Sequence, residues 1–258
     1  MRLSVQNLSF AYHGMPVLKD LSFEAAPGEM TAIAGANAVG KSTLLKCIAG
    51  ALKPQGKVFF DGAELRRLSE HQRSHMSGYM VQDNDSQALL SVFEVVLLGR
   101  MHALSLRLED RELERVSAVL EKLRIAPLAT RPFAQLSGGQ RRMVSIAQTL
   151  VREPSVLILD EPTANLDMQN ELEVLQLLRD YTREKGIVTL VTLHDLNVVT
   201  RFADKVVLLS GGQIYRQGVP REAITQESIA AAYGVKARII EDQGDLIVYP
   251  CLSCASER

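Results

Sequence analysis

A strand, loop and helix pattern near the N-terminus constrains the fold of this chain more than any other feature. The short, mostly apolar run Met30–Ala34 leads into residues 35–42, which have the pattern Gly-x4-Gly-Lys-Ser. Helical periodicity follows over residues 42–52. In this context the two glycines and the lysine are typical of a loop that wraps phosphate groups. We therefore expect a buried strand, a phosphate loop and a helix in direct succession.

The chemistry of this loop depends on small residues and one cation. Small side chains allow backbone N–H groups to turn toward phosphate oxygens, and the helix N-terminus adds a partial positive charge. We expect Lys41 to bridge the β- and γ-phosphates of a nucleotide, Ser42 to ligate Mg²⁺ and Thr43 to lie near the α-phosphate. The predicted nucleotide-binding residues of this segment are Gly35, Ala36, Asn37, Ala38, Val39, Gly40, Lys41, Ser42 and Thr43.

Composition restricts the class of protein. Lys and Arg total 29 against 30 Asp and Glu, a formal net charge of −1, which gives no support for nucleic acid as a partner. The densest apolar runs, such as residues 187–193, are far shorter than the ~18 residues of a membrane-spanning helix, and no signal-peptide pattern opens the chain. Together with three cysteines, these features predict a cytosolic protein. Cys251 and Cys254 form a lone C-x-x-C, for which an ordinary terminus is favoured over a metal site.

Strand and helix patterns alternate along much of the chain. Strands are predicted at residues 3–10, 30–34, 57–60, 78–81, 156–159, 187–193 and 206–209. Helices are predicted at residues 42–52, 168–184, 196–202 and 226–233, and a final hairpin at 237–241 and 246–249. This alternation predicts an α/β fold in which a mainly parallel sheet carries helices on both faces.

The segment 91–150 differs from the rest, because its patterns at 92–100, 109–123 and 139–151 are helical. We interpret it as an insert, so that one domain, 1–258, comprises a nucleotide-binding core with a C-terminal extension (1–87 and 152–258) and a helical subdomain (88–151).

Two carboxylates, Asp160 and Glu161, follow the apolar strand Val156–Leu159. Asp160 is expected to hold Mg²⁺ through water opposite the phosphate loop. Glu161 is then placed to polarise an attacking water as general base. The alternative is a core strand that ends in a solvated acidic turn, and the phosphate loop favours the catalytic interpretation.

Three residues at the ends of predicted strands are further candidates. The amide of Gln82 can contact both Mg²⁺ and water, and His194 is placed to contact a γ-phosphate. Tyr12 follows the first strand, where an exposed ring can stack on adenine. Each has a plainer interpretation, namely a surface amide, a structural histidine and simple packing.

A second glycine motif, Ser137-Gly138-Gly139-Gln140, opens the predicted helix 139–151. Ser137 can cap that helix while the glycines expose N–H groups to an anion. A plain glycine-rich helix start is equally consistent with the residues. One helix N-terminus already holds phosphate within the subunit, so the second requires another anion or another subunit.

Together, these motifs resemble the nucleotide-binding subunit of ATP-binding cassette (ABC) transporters, over essentially the full chain. The resemblance depends on the order and spacing of Tyr12, the phosphate loop, Gln82, residues 136–140, Asp160-Glu161, Asn165-Leu166-Asp167 and His194. It implies a phosphate-loop ATPase fold with antiparallel β elements at the N-terminus and an inserted helical subdomain. It also implies ATP and Mg²⁺ as ligands, and hydrolysis by Glu161, His194, Gln82 and Lys41.

The resemblance also implies a second copy of the chain. In such a pair, Ser137, Gly138, Gly139 and Gln140 of one subunit close over the ATP bound to the other. Tyr12 stacks on adenine, His194 reads the γ-phosphate and Ser42, Gln82 and Asp160 serve the metal. Asp167 helps the subunits communicate.

Residues 91–101, 194–197 and 227–234 further resemble importers of iron–siderophore, haem or cobalamin type. This implies transmembrane permease subunits, indirectly a substrate-binding protein, and a peripheral place on the inner face of the cell membrane. Val92, Phe93, Val95 and Val96 could line a groove for a permease helix or pack internally. Alternatives are another substrate, export, a soluble ABC ATPase of iron–sulphur assembly type, or a regulatory module without turnover.

The phosphate loop departs from the family pattern at two positions. Ala36 stands where Pro is common, and Ala38 stands where Gly is usual. If position 38 requires a positive φ, its methyl group costs about 1 kcal/mol or more. The assignment of residues 35–42 as a phosphate loop still stands, because the remaining glycines and Lys41 match the pattern.

Overall fold

The computed structural model describes residues 2–80, 89–100, 109–242 and 245–251. The strands are, in chain order, β1 Leu3–Tyr12, β2 Met15–Ala25, β3 Met30–Ala34, β4 Gln55–Phe60, β5 Ala63–Glu64, β6 Ser77–Met80, β7 Val156–Leu159, β8 Val188–Thr192, β9 Lys205–Ser210, β10 Gln213–Gly218, β11 Lys236–Asp242 and β12 Asp245–Cys251. The helices are α1 Lys41–Ile48, α2 Glu70–Met76, α3 Val92–Leu98, α4 Asp110–Lys122, α5 Gly138–Leu150, α6 Met168–Lys185, α7 Leu196–Phe202, α8 Pro220–Ala223 and α9 Gln226–Tyr233. Val81, Gln82, the hairpin turn 243–244 and Cys254 lie outside the described residues.

The central sheet determines where the phosphate loop lies. Its strands are ordered β10-β9-β3-β8-β7-β6, and only the β10–β9 pair is antiparallel. β3, β7 and β8 are buried along their whole length, as expected of parallel strands covered on both faces. The predicted mainly parallel sheet is confirmed. Because β3, β7 and β8 run the same way, the residues that follow them meet at one edge.

A smaller sheet of order β2-β1-β4-β5 is antiparallel, which confirms the predicted antiparallel elements at the N-terminus. β2 has no counterpart among the predicted strands. Its pairing with β1 shifts register around Leu8 and Phe10, and Asn7 and Asp20 adopt positive φ values of 49° and 54°. These bulges interrupt the alternation by which a strand is recognised in a sequence.

Hydrophobic side chains form two clusters, one on each face of the central sheet. One joins Leu44 of α1 to Phe60 of the antiparallel sheet, and the other includes Leu150 of α5. Successive residues of β7 alternate between them, with Ile158 in the first cluster and Leu159 in the second. The expected cover of the sheet on both faces is therefore present.

The described chain between β6 and β7 is helical, and α3, α4 and α5 coincide with the three predicted helices to within two residues at each end. A buried ion pair of 2.6 Å joins Arg100, just beyond α3, to Glu112 of α4. Arg100 also donates to the carbonyl oxygen of Val151 after α5, at 3.4 Å. Removing Glu112 would leave the Arg100 charge buried without its carboxylate, so this pair helps to hold the three helices together.

After β9 the chain adds β10, α8, α9 and the predicted C-terminal hairpin, β11 and β12. The hairpin packs on α7 through Asn197. The side-chain amide of Asn197 donates to the Val248 carbonyl at 3.3 Å and its oxygen accepts the Val248 N–H at 2.7 Å. The final segment is therefore attached to the same helix that follows His194.

Candidate active site

The phosphate loop connects the end of β3 to the start of α1, as predicted. Gly35 has φ +141° and Gly40 has φ +110°, values that other residues rarely adopt. At Gly35 a Cβ would also lie 2.6 Å from the carbonyl oxygen of Leu209 in β9. Glycine is therefore required at both ends of the loop.

The Lys41 side chain contacts the first residues of the phosphate loop. Its Nζ donates hydrogen bonds to the carbonyl oxygens of Gly35 at 2.8 Å and Ala36 at 3.0 Å, and the residue is only 6% exposed. Burial lowers the pKa of Lys41, and the carboxylates of Glu161 and Asp160 oppose this effect. A shielded cation thus lies at a helix N-terminus, where a phosphate group is favoured.

The tip of the loop opens to solvent. Asn37 and Ala38 are exposed, whereas Ser42 and Thr43 in the first turn of α1 are half-buried. The first turn of α1 contains no acidic residue, so its partial positive charge is not offset there. An anion can therefore approach the loop from solvent.

The acidic pair at the end of β7 is organised by Thr192 of β8. Asp160 is 1% exposed, and its Oδ1 accepts a hydrogen bond from the Thr192 hydroxyl at 2.8 Å. The same hydroxyl oxygen accepts the N–H of Glu161 at 2.7 Å. Sequence reasoning missed Thr192. The available sequence signal for Thr192 is its position at the end of an apolar strand, two residues before His194. That signal does not show that β8 lies beside β7, which is what places Thr192 next to the acidic pair.

Glu161 and His194 are in direct contact, with 2.7 Å between Oε1 and Nε2. The Glu161 side chain is 15% exposed and that of His194 is 51% exposed. Glu161 adopts φ +51°, an uncommon conformation for a residue with a side chain. The structure thus brings Lys41, Asp160, Glu161 and His194 to one edge of the sheet, and their chemical roles stay predictions.

The second glycine motif forms a separate site. Ser137 is the N-cap of α5 in a capping box, in which its Oγ accepts the Gln140 N–H at 3.2 Å. The motif and the 165–167 loop line a cavity of about 1200 Å³, whose lining includes none of residues 35–43. Ser137 and Gly138 are exposed. The capping role is confirmed, and the exposed glycine face does not meet the phosphate loop of its own chain in this cavity.

Comparison with known proteins decides the class of this site. The family model described as "ABC transporter" matches residues 18–164, more than half of the chain. This chain belongs to the ABC transporter family. Its members include ATP-binding subunits of transporters, which hydrolyse ATP, so the site is that of an ABC ATPase.

Curated relatives match this ABC protein over nearly its whole length. An uncharacterized ABC transporter ATP-binding protein of Methanocaldococcus jannaschii is 40% identical, over 97% of this chain and 98% of the relative. The ferric enterobactin transport ATP-binding protein FepC of Escherichia coli is 34% identical, over 93% and 90%. The hemin import ATP-binding protein HmuV of Deinococcus radiodurans is 35% identical, over 98% and 95%.

Solved ABC structures share the fold. One, a metal-chelate type ABC transporter in an inward-facing conformation, has a TM-score of 0.83 and 29% identity over 97% of each chain. Another, a dimeric ATP-binding cassette in a post-hydrolysis state with ADP and Pi, has a TM-score of 0.76 and 27% identity over 85% of this chain and 99% of that one. Homologous ABC ATPases act as dimers with membrane permease partners.

The remaining ABC motif residues are placed as follows. Tyr12 ends β1 and is 38% exposed, with its ring edge-on to Phe10 at a centroid distance of 4.8 Å. The residue is therefore partly accessible to a flat ligand. Gln82 lies outside the described residues, so its predicted contact with metal and water stays a prediction.

The oxygen donors near the loop fit Mg²⁺. This ion prefers hard oxygen ligands and takes only one or two from the protein, with phosphate and water completing its shell. Asp160 is buried with one oxygen engaged by Thr192, and Ser42 lies in the first turn of α1. The described residues contain no cluster of three or more His, Cys, Asp or Glu that could hold a metal by itself. This small number of protein ligands is sufficient for an Mg²⁺ ion that is also bound by the phosphates of a nucleotide.

Ala38 has φ +60°, so the position does require a left-handed conformation. Replacing Ala38 with Gly is expected to stabilise the protein by about 0.5 kcal/mol, because relief of backbone strain exceeds the added entropy of the unfolded chain. For a chain of 258 residues this raises the Tm by about 1–2 °C, measurable by calorimetry. Ala36→Gly, at a position without positive φ, should lower the Tm instead. A Tm for A38G below that of the wild type would contradict the assignment of strain.

Proposed function

We propose that this chain is the ATP-hydrolysing subunit of an importer for a metal chelate, of iron–siderophore, haem or cobalamin type. The observation that carries the catalytic part is the 2.7 Å contact between Glu161 and His194 at the edge where Lys41 lies. The substrate class is supported by full-length similarity to proteins named for ferric enterobactin and hemin import. The rival assignment to iron–sulphur assembly finds no support in these relatives.

Hydrolysis in this proposal depends on electrostatics and position. Lys41 and the loop N–H groups hold the phosphates, while Glu161 accepts the proton of the attacking water. The Thr192 hydroxyl binds both the Glu161 backbone N–H and the Asp160 carboxylate, so it fixes the positions of the two acidic residues relative to each other. His194 contacts Glu161 and is exposed enough to meet a γ-phosphate at the same time.

Mg²⁺ is the proposed metal, held through Ser42, Gln82 and Asp160. When bound, it would neutralise charge on the phosphate oxygens during transfer. The hydrogen bond from Thr192 orients Asp160 for this role and is made without the ion.

A second copy of the chain completes the proposed site. Ser137, Gly138 and Gly139 form a helix N-terminus whose cavity is lined by none of residues 35–43 of the same chain, and its partial positive charge suits the phosphates held by a partner subunit. Gln140 closes the capping box and fixes this end of α5. Asp167 caps α6 beside the same cavity, and so lies where the two subunits would communicate.

The permease is proposed to dock beside α3. Val92, Val95 and Val96 are buried, so internal packing explains these three of the four residues named for this groove. Phe93 is half-buried and Leu98 is 41% exposed, and these side chains are available to an amphipathic helix. We propose residues 88–151 as a subdomain that moves with the permease against the core formed by 1–87 and 152–258.

We propose that the protein lies on the cytoplasmic face of the membrane, where it is attached to the permease. Among the described residues, no helix combines the length and apolar character needed to cross a bilayer. Capture of the chelate by a substrate-binding protein on the other side completes the proposed system.

Transport tests the substrate class. The tagged chain is purified with its membrane partners and reconstituted in vesicles that contain ATP and Mg²⁺, with the substrate-binding protein added outside. It is expected to drive uptake of a radiolabelled iron–siderophore, haem or cobalamin. A matched preparation with Glu161→Gln should show uptake at the background level, because the energy source is removed. Uptake of a sugar or amino acid, but of none of the three chelates, would overturn the proposed substrate class.

A further inference from the structure

The first peptide groups of the phosphate loop are held from two sides. The Gly35 carbonyl accepts a hydrogen bond from Lys41, as described above. The Gly35 N–H donates to the hydroxyl oxygen of Tyr233 at 2.9 Å. Tyr233 is the last residue of α9 and comes 198 positions later in the chain. A contact from the C-terminal extension therefore reaches the start of the nucleotide site.

The helix that carries Tyr233 is firmly placed. Thr225 and Ser228 form a capping box at its start, and Gly234, in the left-handed conformation, ends it. Ser210, at the end of β9, donates its hydroxyl hydrogen bond to the Ala231 carbonyl at 3.0 Å. Since Leu209 of β9 also lies against Gly35, strand and helix approach the loop as one unit.

The Lys41 and Tyr233 contacts at Gly35 are expected to respond differently to nucleotide binding. Two of the three hydrogen-bond donors of the Lys41 ammonium are engaged by loop carbonyls, and phosphate oxygens compete for them. The Tyr233 contact uses none of the Lys41 donors, so it does not depend on where the ammonium group points. Burial raises the pKa of Tyr233, with the Gly35 N–H opposing the effect, so the hydroxyl stays neutral at physiological pH.

We propose that Tyr233 is a positioning residue for the nucleotide site, which keeps Gly35 in place when Lys41 turns from the loop carbonyls to the phosphates. This inference rests on the proposed placement of ATP on residues 35–43. It assigns the C-terminal extension a part in nucleotide affinity. Without the hydroxyl, the Gly35 N–H loses its partner and the loop loses the hold that is independent of Lys41.

Tyr233→Phe tests the proposal, because it removes the hydroxyl and keeps the ring. The Kd for ATP with Mg²⁺, measured by calorimetry on the full chain, is expected to rise about five-fold, the effect of one neutral hydrogen bond. Hydrogen exchange at the Gly35 amide should become faster in the same variant. Tyr215→Phe is the matched control, because the Tyr215 hydroxyl also reaches α9, at Glu227, but does not contact the loop. Its Kd should equal that of the wild type.

The outcomes separate the inference from the proposed function. Y233F with the Kd and Gly35 exchange rate of Y215F would overturn the positioning role alone. A Lys41→Ala variant that binds ATP as tightly as the wild type would overturn the placement of ATP and the inference with it. Loss of the hydrogen bond is expected to lower the Tm of Y233F by about 2–4 °C relative to Y215F, so both variants stay folded at the temperature of the binding assay and a difference in affinity reports on the site.

Discussion

Replacing Glu161 with Gln is expected to lower ATP turnover by about two to four orders of magnitude, the usual contribution of a general base. The amide has the size of the carboxylate and its oxygen can still accept the hydrogen bond from His194, but it cannot take a proton from water. Nucleotide binding should persist, because Lys41 and the loop amides are unchanged. The variant should therefore accumulate as a dimer with ATP bound.

The measurement combines phosphate release with size-exclusion chromatography in ATP. Glu24→Gln serves as the control, since Glu24 is an exposed residue of β2 that pairs with Arg2 and does not line the cavity of the second glycine motif. It should turn over ATP at the wild-type rate and show no ATP-dependent dimer beyond that of the wild type. Normal hydrolysis by E161Q would remove Glu161 as the base.

Mixing two inactive variants is expected to restore activity if the second glycine motif acts across a dimer. Lys41→Ala removes the phosphate cation, and Ser137→Arg places a bulky side chain on the exposed start of α5. Each variant alone should show little hydrolysis, because each of its two composite sites contains the altered residue. A mixed dimer contains one site with an intact Lys41 and an intact Ser137.

About half of the dimers in an equal mixture are mixed, and each has one intact site of two, so about a quarter of wild-type activity is expected. Loss of the Ser137 cap costs about 1 kcal/mol, so the fold of S137R should survive and its Tm serves as the check. Titrating one variant into the other gives a maximum near equal amounts. No recovery at any ratio, with both variants folded, would place the two motifs in one chain's site.

The parts of the fold that could be predicted are those in which burial imposes a simple pattern. β3 and β7 are wholly buried and match the predicted strands at both ends, and α7 and α9 do so as well. α2 was missed because it buries none of its residues and so has no apolar stripe. β10 was missed because its residues alternate only between half-buried and exposed. α1 ends at Ile48, earlier than predicted, since Gly50 adopts φ +79°.

The candidate site was predictable where its residues are neighbours in the chain. The loop, Lys41 and the acidic pair have local patterns with a chemical meaning. The positions of Thr192 and Tyr233 depend on which strand and helix pack beside β7 and β3, which is a property of the assembled sheet. A threonine that ends a strand and a tyrosine that ends a helix have no local signature, so only the structure assigns them to the site.

The position of β3 in the sheet determines how late in synthesis the protein becomes able to bind a nucleotide. The phosphate loop belongs to the first part of the chain to leave the ribosome, but the strands on both sides of β3, β8 and β9, are synthesised far later. A parallel strand that is buried on both faces is not stable without its neighbours. A nascent chain therefore carries the complete loop sequence long before it can hold a nucleotide. An interrupted chain that lacks the last third cannot sequester ATP.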